Sequence, residues 1–466
     1  MIYIALNGND TWSGTLPSPN SEGTDGPFAS LDKARETIQS LTQSDASPYT
    51  AITIYLREGT YPPFRLSEQH SGTQQAPICY RPFENEMVRL NGDPTQTAET
   101  PLISFQNAHH IRLESFILEN TSGAGIHIAG GSHIHIAGCT VHNTGHTAID
   151  ITGGTSHTVE SCDIHHTRGI NVQGGDRKTL TPCAHTLLNN HIHHTKETHP
   201  AVHLSGVGIR AAHNLIHDCP HNAILLKGNE HTIEYNHIHH VCQKAEGTGA
   251  FSMGGDWTER GNLLRHNFFH HTSGPNTLAI HLTDCASGTR ISGNIFYRCP
   301  RAIFIGGGRN HIVDNNIFVA CQPAIYIDAR GTNPVFHDLV YNTLKSRFEA
   351  SNPLEPPYRE YYPELKEVAV YYQADGGVPP EGNLISRNLV QHGEWLVIQK
   401  DIKPGLIAVQ NNILDDDPCS VDPDHLNFQL RDDSPAYESG FKSIPFENIG
   451  LYIDSYRTQF PDTKSD

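Results

Sequence analysis

The sequence predicts an all-β chain wound into a right-handed parallel β-helix with an N-terminal capping helix, and three observations carry that expectation. Short segments with one apolar centre recur along the chain, at Ile117, Val141, Ile164, Ile192, Ile216, Ile238, Phe269, Phe296, Phe318, Leu344, Val390 and Leu414. Their spacings are 24, 23, 28, 24, 22, 31, 27, 22, 26, 46 and 24 residues. A period near 23 residues is that of a solenoid. Each repeat also carries an apolar pair alternating with polar residues, as in "GIHIAGG" from Gly125, "AIDITGG" from Ala148 and "AIYIDARG" from Ala324. Such alternation marks a half-buried strand. Finally, an asparagine precedes many of the apolar centres, as in "NHIHHT" from Asn190, "NHIHHV" from Asn236, "NFFHHT" from Asn267 and "NIFVAC" from Asn316. Stacked asparagine amides satisfy turn backbone groups coil after coil.

One β-helix domain is expected over residues 1–466. Residues 1–100 hold N-terminal strands and the capping helix. In "SLDKARETIQSL", Leu31, Ala34, Ile38 and Leu41 share one face, and Ser30 is placed to cap the helix. "AITIYLREGTYPPF" then starts the first full strand. Central coils occupy 101–344, with loops near 173–188, 242–264 and 271–278. An inserted loop rich in Pro, Tyr and Glu spans 345–381; the gap of 46 fits two turns, or one turn carrying this insertion. The last coils and a C-terminal cap, "NFQLRDDSPAYESGFKSIPFENIGLY", fill 382–466.

Composition narrows the function. Only 37% of the 466 residues are hydrophobic, so the core must be thin and regular, and 40 glycines suit many tight turns. A net charge of −18 argues against nucleic acid and anionic membranes as partners. No apolar run approaches a membrane span. "MIYIALNGND" has neither a basic n-region nor an apolar h-region, so no signal peptide is expected. The protein is then cytoplasmic, or secreted if the sequence is a mature form. Of the ten cysteines, Cys139 and Cys162, Cys219 and Cys242, and Cys299 and Cys321 each lie one repeat apart. Stacked coils would bring them within disulfide reach, yet buried free thiols are the expected state. The histidines follow the repeat. With Ile238 inward, His142, His165, His193, His217, His239 and His270 form an outward column on the solvent face, and no metal or cofactor is expected.

Stacking the second strands in register gives an outward column of Ala129, Thr152, Gln173, Ser205, Lys227, Gly254, Thr283, Gly306 and Asp328. At the next position glycine is the rule and Asp284 the exception; Asp256 follows the glycine pair one coil earlier. Coils lie about 4.8 Å apart, so Asp256 and Asp284 fall about 5 Å apart and Asp284 and Asp328 about 9–10 Å apart. Retaining glycosidases hold their carboxyl groups about 5–5.5 Å apart and inverting ones about 6.5–9.5 Å apart, so both regimes are open. Turn capping is the ordinary role for such aspartates. His203, Lys227, Trp257, Arg260, His281 and Arg330 lie on the same face as candidate substrate-binding residues. A lysine or arginine there also suits the base of a polysaccharide lyase.

Several stretches spanning nearly the whole chain resemble β-helix proteins of carbohydrate metabolism. They include "YIALNGNDTWSGT", "PHNAILLKGNEHTIEYNHIHHVC", "DWTERGNLLRHNFFHH", "PAIYIDARG", "PPYREYYPEL" and "DSPAYESGFKSIPFENIGLY". Together they resemble the β-helix domain of glycoside hydrolase family 141, with α-L-fucosidase and xylanase activities, and more distantly the β-helix β-xylosidases. The resemblance implies a catalytic aspartate pair in "HLTDCASG" and "YIDARG", here Asp284 and Asp328. There are two departures. Thr283 stands where related sequences have a first aspartate, and Glu246 is displaced from the acidic position before Gly249–Ala250, with Thr248 intervening. The expected function is hydrolysis of a plant or algal polysaccharide or oligosaccharide, with Asp284 and Asp328 as acid and base or nucleophile and Asp256 as a third catalytic residue that orients or substitutes. The alternatives are a polysaccharide lyase using Lys227 or an arginine, and a non-catalytic carbohydrate-binding β-helix.

Overall fold

The computed structural model describes residues 1–43, 51–95, 100–196, 198–272, 274, 276–374, 376–414 and 420–461. Residues 273 and 275 of the expected 271–278 loop, residue 375 of the expected insertion and residues 415–419, Cys419 included, lie outside this set. The fold is a right-handed parallel β-helix, divided into two compact units: 1–174 with 183–196 and 452–466, and 175–182 with 197–451. No described helix is long and apolar enough to cross a membrane.

In the first unit each coil contributes one short strand to each of three parallel sheets. Strands Ile126–Ala129, Ile149–Thr152 and Ile170–Gly174 pair Ile126 with Ile149 and Ile170, and Ile128 with Ile151 and Val172. These side chains are wholly or almost wholly buried, while His127, Asp150 and Asn171 between them point outward. The period-two pattern thus becomes an interior stack and an exterior row. Helix α1 (Leu31–Gln43) buries Leu31, Ala34 and Ile38, and the Ser30 hydroxyl accepts the Lys33 N–H at 3.1 Å. Leu41 is exposed instead of sharing that face. The register also corrects one repeat position: Val141 pairs with Leu118, so Leu118 and not Ile117 is the inward centre of its coil. Shifting by one residue along a strand exchanges its two faces.

The second unit repeats this construction. Its interior includes the stacked rings of Phe269, Phe296 and Phe318, with centroids 5.3 and 4.9 Å apart. One corner is an asparagine ladder through Asn214, Asn236, Asn267, Asn294, Asn316, Asn388 and Asn412. The backbone N–H of each donates to the side-chain oxygen of the next at 2.9–3.0 Å. The side-chain amide also binds the carbonyl of a neighbouring coil, as from Asn267 to Ile233 at 2.9 Å. Nine described cysteines are free, eight of them buried. Cys299 and Cys321 bind main-chain carbonyls beneath this wall.

The long insertion differs from expectation. Phe318 pairs directly with Val390, so the chain between them makes one turn and not two. Leu344 is not a strand centre. It ends a helical turn (Leu339–Leu344) that runs into α2 (Lys345–Ala350), followed by α3 (Tyr358–Tyr361) and α4 (Leu365–Gln373). Val340, Leu344 and Phe348 recur every four residues, a helical spacing, and they pack with Leu365, Val368 and Tyr372. The C-terminal segment lies against a flank of the coils. Phe428, Leu430, Phe441 and Ile444 cover Phe268, Ile295, Ile317 and Leu389 of the third sheet. His217, His239 and His270 are buried on this same side, contrary to the expected solvent column.

The ladder should be worth several hydrogen bonds per residue. Asn267→Ala strands the Asn236 N–H and is expected to lower unfolding free energy by about 2–4 kcal/mol. Urea denaturation checks this; a loss below about 0.5 kcal/mol would show that the ladder is dispensable.

Candidate functional site

The outer face of the second sheet in the second unit carries the candidate site. Strands Gly249–Gly254, Leu278–Thr283, Ile303–Gly306 and Ile325–Asp328 stack with Gly254 beside Thr283 and Gly306 beside Asp328. Asp284 follows its strand with φ +48, where the adjacent coils have Gly255 and Gly307 with φ +84 and +72. Left-handed corners elsewhere in the chain use Asn and His, so the backbone alone does not mark a site. What sets this corner apart is a pair of carboxylates that share one guanidinium.

Arg330 joins the two. Its guanidinium donates to Asp284 Oδ1 at 2.9 Å and to Asp328 Oδ2 at 3.1 Å, and also to Thr283 Oγ1 at 2.8 Å. Thr283 in turn donates to Asp284 Oδ1 at 3.2 Å. The guanidinium is held between the rings of Phe304 and Phe336, 5.3 and 4.9 Å from its carbon. The environments of the two aspartates differ. The Asp284 side chain is 42% exposed and that of Asp328 is 14% exposed. Burial raises the Asp328 pKa, with Arg330 opposing the shift. His281 lies on the same face, edge-on to Phe304 at 5.3 Å. Burial, reinforced by Arg330 and opposed by Asp284, lowers its pKa to about 4. Half-buried Tyr326 stacks on buried Phe304 at 5.6 Å and adds an aromatic face beside the carboxylates, two residues with no signal in the sequence repeat.

The other expected residues are placed differently. Asp256 is buried and committed: Oδ2 accepts from Arg177 at 3.1 Å, and Oδ1 accepts the Thr258 N–H and hydroxyl at 2.8 and 2.7 Å. Lys227 donates to the Gly254 carbonyl at 2.6 Å. His203 is half-buried one coil before it, and burial lowers its pKa. Trp257 and Arg260 are wholly enclosed, which corrects their expected place on an open sugar-binding face. Trp257 stacks on Tyr372 of the insertion, and Arg260 donates to Glu364 at 2.8 Å. Their sequence signal was real, but it reports how the helical insertion is seated. Glu246 is exposed, while Thr248 accepts from Asn222 at 2.7 Å.

Sequence reasoning missed a second buried acid. Glu259 lies 3.5 Å from Arg177, and its second carboxylate oxygen is buried without a partner. Burial, then the nearby Asp256, raises its pKa to about 7. Nothing periodic pointed to it, because Arg177 comes from a loop far away in sequence.

A profile of the family described as "Right handed beta helix region" matches residues 101–197 and 200–346, and the chain belongs to that family. The uncharacterized protein YwoF of Bacillus subtilis (strain 168) is 31% identical over 140 residues, covering 28% of this chain and 26% of YwoF. This chain therefore spans about a quarter of that relative's length. Among solved structures, a complex of XylC with xylose aligns with TM-score 0.53 and 12% identity over 90% of this chain and 87% of its own. The family 6 alginate lyase AlyGC aligns with TM-score 0.52 and 12% identity over 94% of this chain and 59% of its own. At such identities the likeness is one of fold.

Glu259 gives a pH signature. Its folded-state pKa of about 7 exceeds the ordinary 4.5. The folded state therefore holds a proton that the unfolded state has released, and stability falls as pH rises through that window. Glu259→Gln removes this term. Melting temperatures compared at about pH 5 and pH 8 should show a smaller alkaline loss in the variant than in the wild type; parallel profiles would contradict the assignment.

Proposed function

We propose that the chain is a glycoside hydrolase acting on a plant or algal polysaccharide or oligosaccharide, with Asp328 and Asp284 as its acid and base or nucleophile. The observation carrying this reading is the pair of unlike carboxylates on one guanidinium beside an aromatic surface. Glycoside hydrolysis needs two carboxyl groups in unlike surroundings, and here one is buried and the other more exposed. Asp328, the more buried, protonates the leaving oxygen as the glycosidic bond breaks. Asp284, the more exposed, either attacks the anomeric carbon or takes a proton from the attacking water. Arg330 orients both, and Thr283 holds the second hydrogen bond on Asp284. Tyr326 and His281 supply the sugar-facing surface, with Phe304 packed behind them. The fold is compatible with carbohydrate chemistry of either kind, since XylC solved with xylose and the alginate lyase AlyGC share it equally.

A lyase reading is less well supported. It needs an uncommitted base, whereas Lys227 donates to a carbonyl and Arg330 bridges the aspartates.

The test is turnover on a panel of aryl glycosides and plant and algal polysaccharides. Asp284→Asn and Asp328→Asn should each lower kcat by about 10²–10⁴-fold, with Lys227→Ala retaining most activity. Unchanged turnover in either aspartate variant would overturn the assignment. Loss confined to Lys227→Ala would favour elimination, and sugar binding without turnover on the whole panel would favour a binding protein.

A further inference from the structure

The burial of the histidine column has a chemical consequence. Strand His237–Val241 presents His237 and His239 on one face, with ring centroids 4.9 Å apart. The next coil adds His270, stacked on His239 at 4.7 Å. One ligand nitrogen from each of the three rings lies within 4.8 Å of the other two. Nε2 of His237 and Nε2 of His270 are 2.7 Å apart. Two rings are oriented from behind: Nδ1 of His239 lies 2.8 Å from Nδ1 of His240, and Nδ1 of His270 lies 2.7 Å from Nδ1 of His271. That leaves the opposite ring nitrogen of each available as a ligand, the arrangement that outer partners impose on metal-binding imidazoles.

The setting is dry. Phe268 stacks on His237 at 5.1 Å and is met by Phe428 and Phe446, while Gly450 abuts His237. His239 and His270 are 7% and 1% exposed. Burial and neighbouring imidazoles lower the pKa of His237 to about 4 and of His239 to about 2, and that of His270 further still.

A second cluster sharpens the contrast. His191 and His193 occupy matching positions on strand His191–His193, but their third partner is Asp163. Its carboxylate lies 2.9 Å from His191 Nδ1 and 3.3 Å from His193 Nε2, so those nitrogens already have an anion. The all-histidine cluster contains no such anion and sets nitrogen against nitrogen.

We propose that His237, His239 and His270 bind one first-row divalent metal ion, zinc in the first instance, which ties two neighbouring coils together. Zinc–nitrogen bonds of about 2.0–2.1 Å place ligand nitrogens about 3.3 Å apart in a tetrahedron, which small movements of these rings reach. The site is separate from the proposed hydrolytic pair and does not depend on it.

The test uses the full chain without an affinity tag, stripped with a chelator and titrated with zinc or cobalt(II). The proposal expects one tightly held zinc per chain, tetrahedral cobalt absorption bands, and a melting temperature raised by zinc. His239→Gln and His270→Gln, each verified as folded by circular dichroism, should lose the stoichiometric metal at least tenfold in affinity, whereas Asp163→Asn should keep it. The wild-type cobalt spectrum gives an answer even if a variant fails to fold. Absence of tetrahedral bands, or zinc retained in both histidine variants, would overturn the proposal. Loss of zinc in Asp163→Asn alone would move binding to the other cluster and overturn it equally.

Discussion

Everything in this molecule depends on satisfying the backbone at each corner while strands stack in parallel. A coil of about 23 residues turns sharply three times, and each turn leaves N–H and C=O groups that a thin core cannot bury unpaired. In the second unit the asparagine ladder answers this at one corner by lending each coil's amide to its neighbour. A histidine does related work at another, where His231 Nδ1 accepts the Ile209 N–H at 3.0 Å and His311 Nδ1 accepts the Thr289 N–H at 3.2 Å. With corners fixed in this way, strand register is fixed too. The outward rows then become a rigid platform on which side chains from successive coils meet at a set spacing.

The candidate site is where that platform stops repeating. Asp284 takes a corner that its neighbours give to glycine, and Asp328 ends a strand just before the chain leaves the solenoid. Arg330, the second residue of that departure, folds back over both. The helical insertion then returns to bury Trp257, and Arg309 donates to Glu367 of α4 at 2.9 Å. Rigid coils thus set the carboxylates, and an irregular excursion supplies the groups that tune them.

Much of this was legible in the sequence. The fold followed from period and alternation, and the outward rows put Asp284 and Asp328 on one face because a parallel solenoid turns sequence register into spatial register. The exceptions share a cause. Leu344 looks like a strand centre because Asn342 stands before it in "NTLKS" as asparagines do in the true repeats, yet it ends a helical turn. Trp257 and Arg260 were read as exposed because nothing periodic announces what an insertion covers. Glu259 and Arg177, like Phe304 and Tyr326, become visible only when distant loops and adjacent coils are seen together. Within the second unit the outward His217, His239 and His270 are buried on the side that Phe428, Leu430, Phe441 and Ile444 cover, and no repeat encodes the path of that C-terminal segment.

The account's central claim is that the Asp284–Asp328 pair adds water across a glycosidic bond. The most direct measurement is mass spectrometry of the products formed in water enriched with heavy oxygen. The account predicts one heavy oxygen per cleaved bond, at the new reducing end, in products that carry no unsaturated sugar. Cleavage that takes up no heavy oxygen and leaves an unsaturated uronate would contradict it and assign the chemistry to elimination.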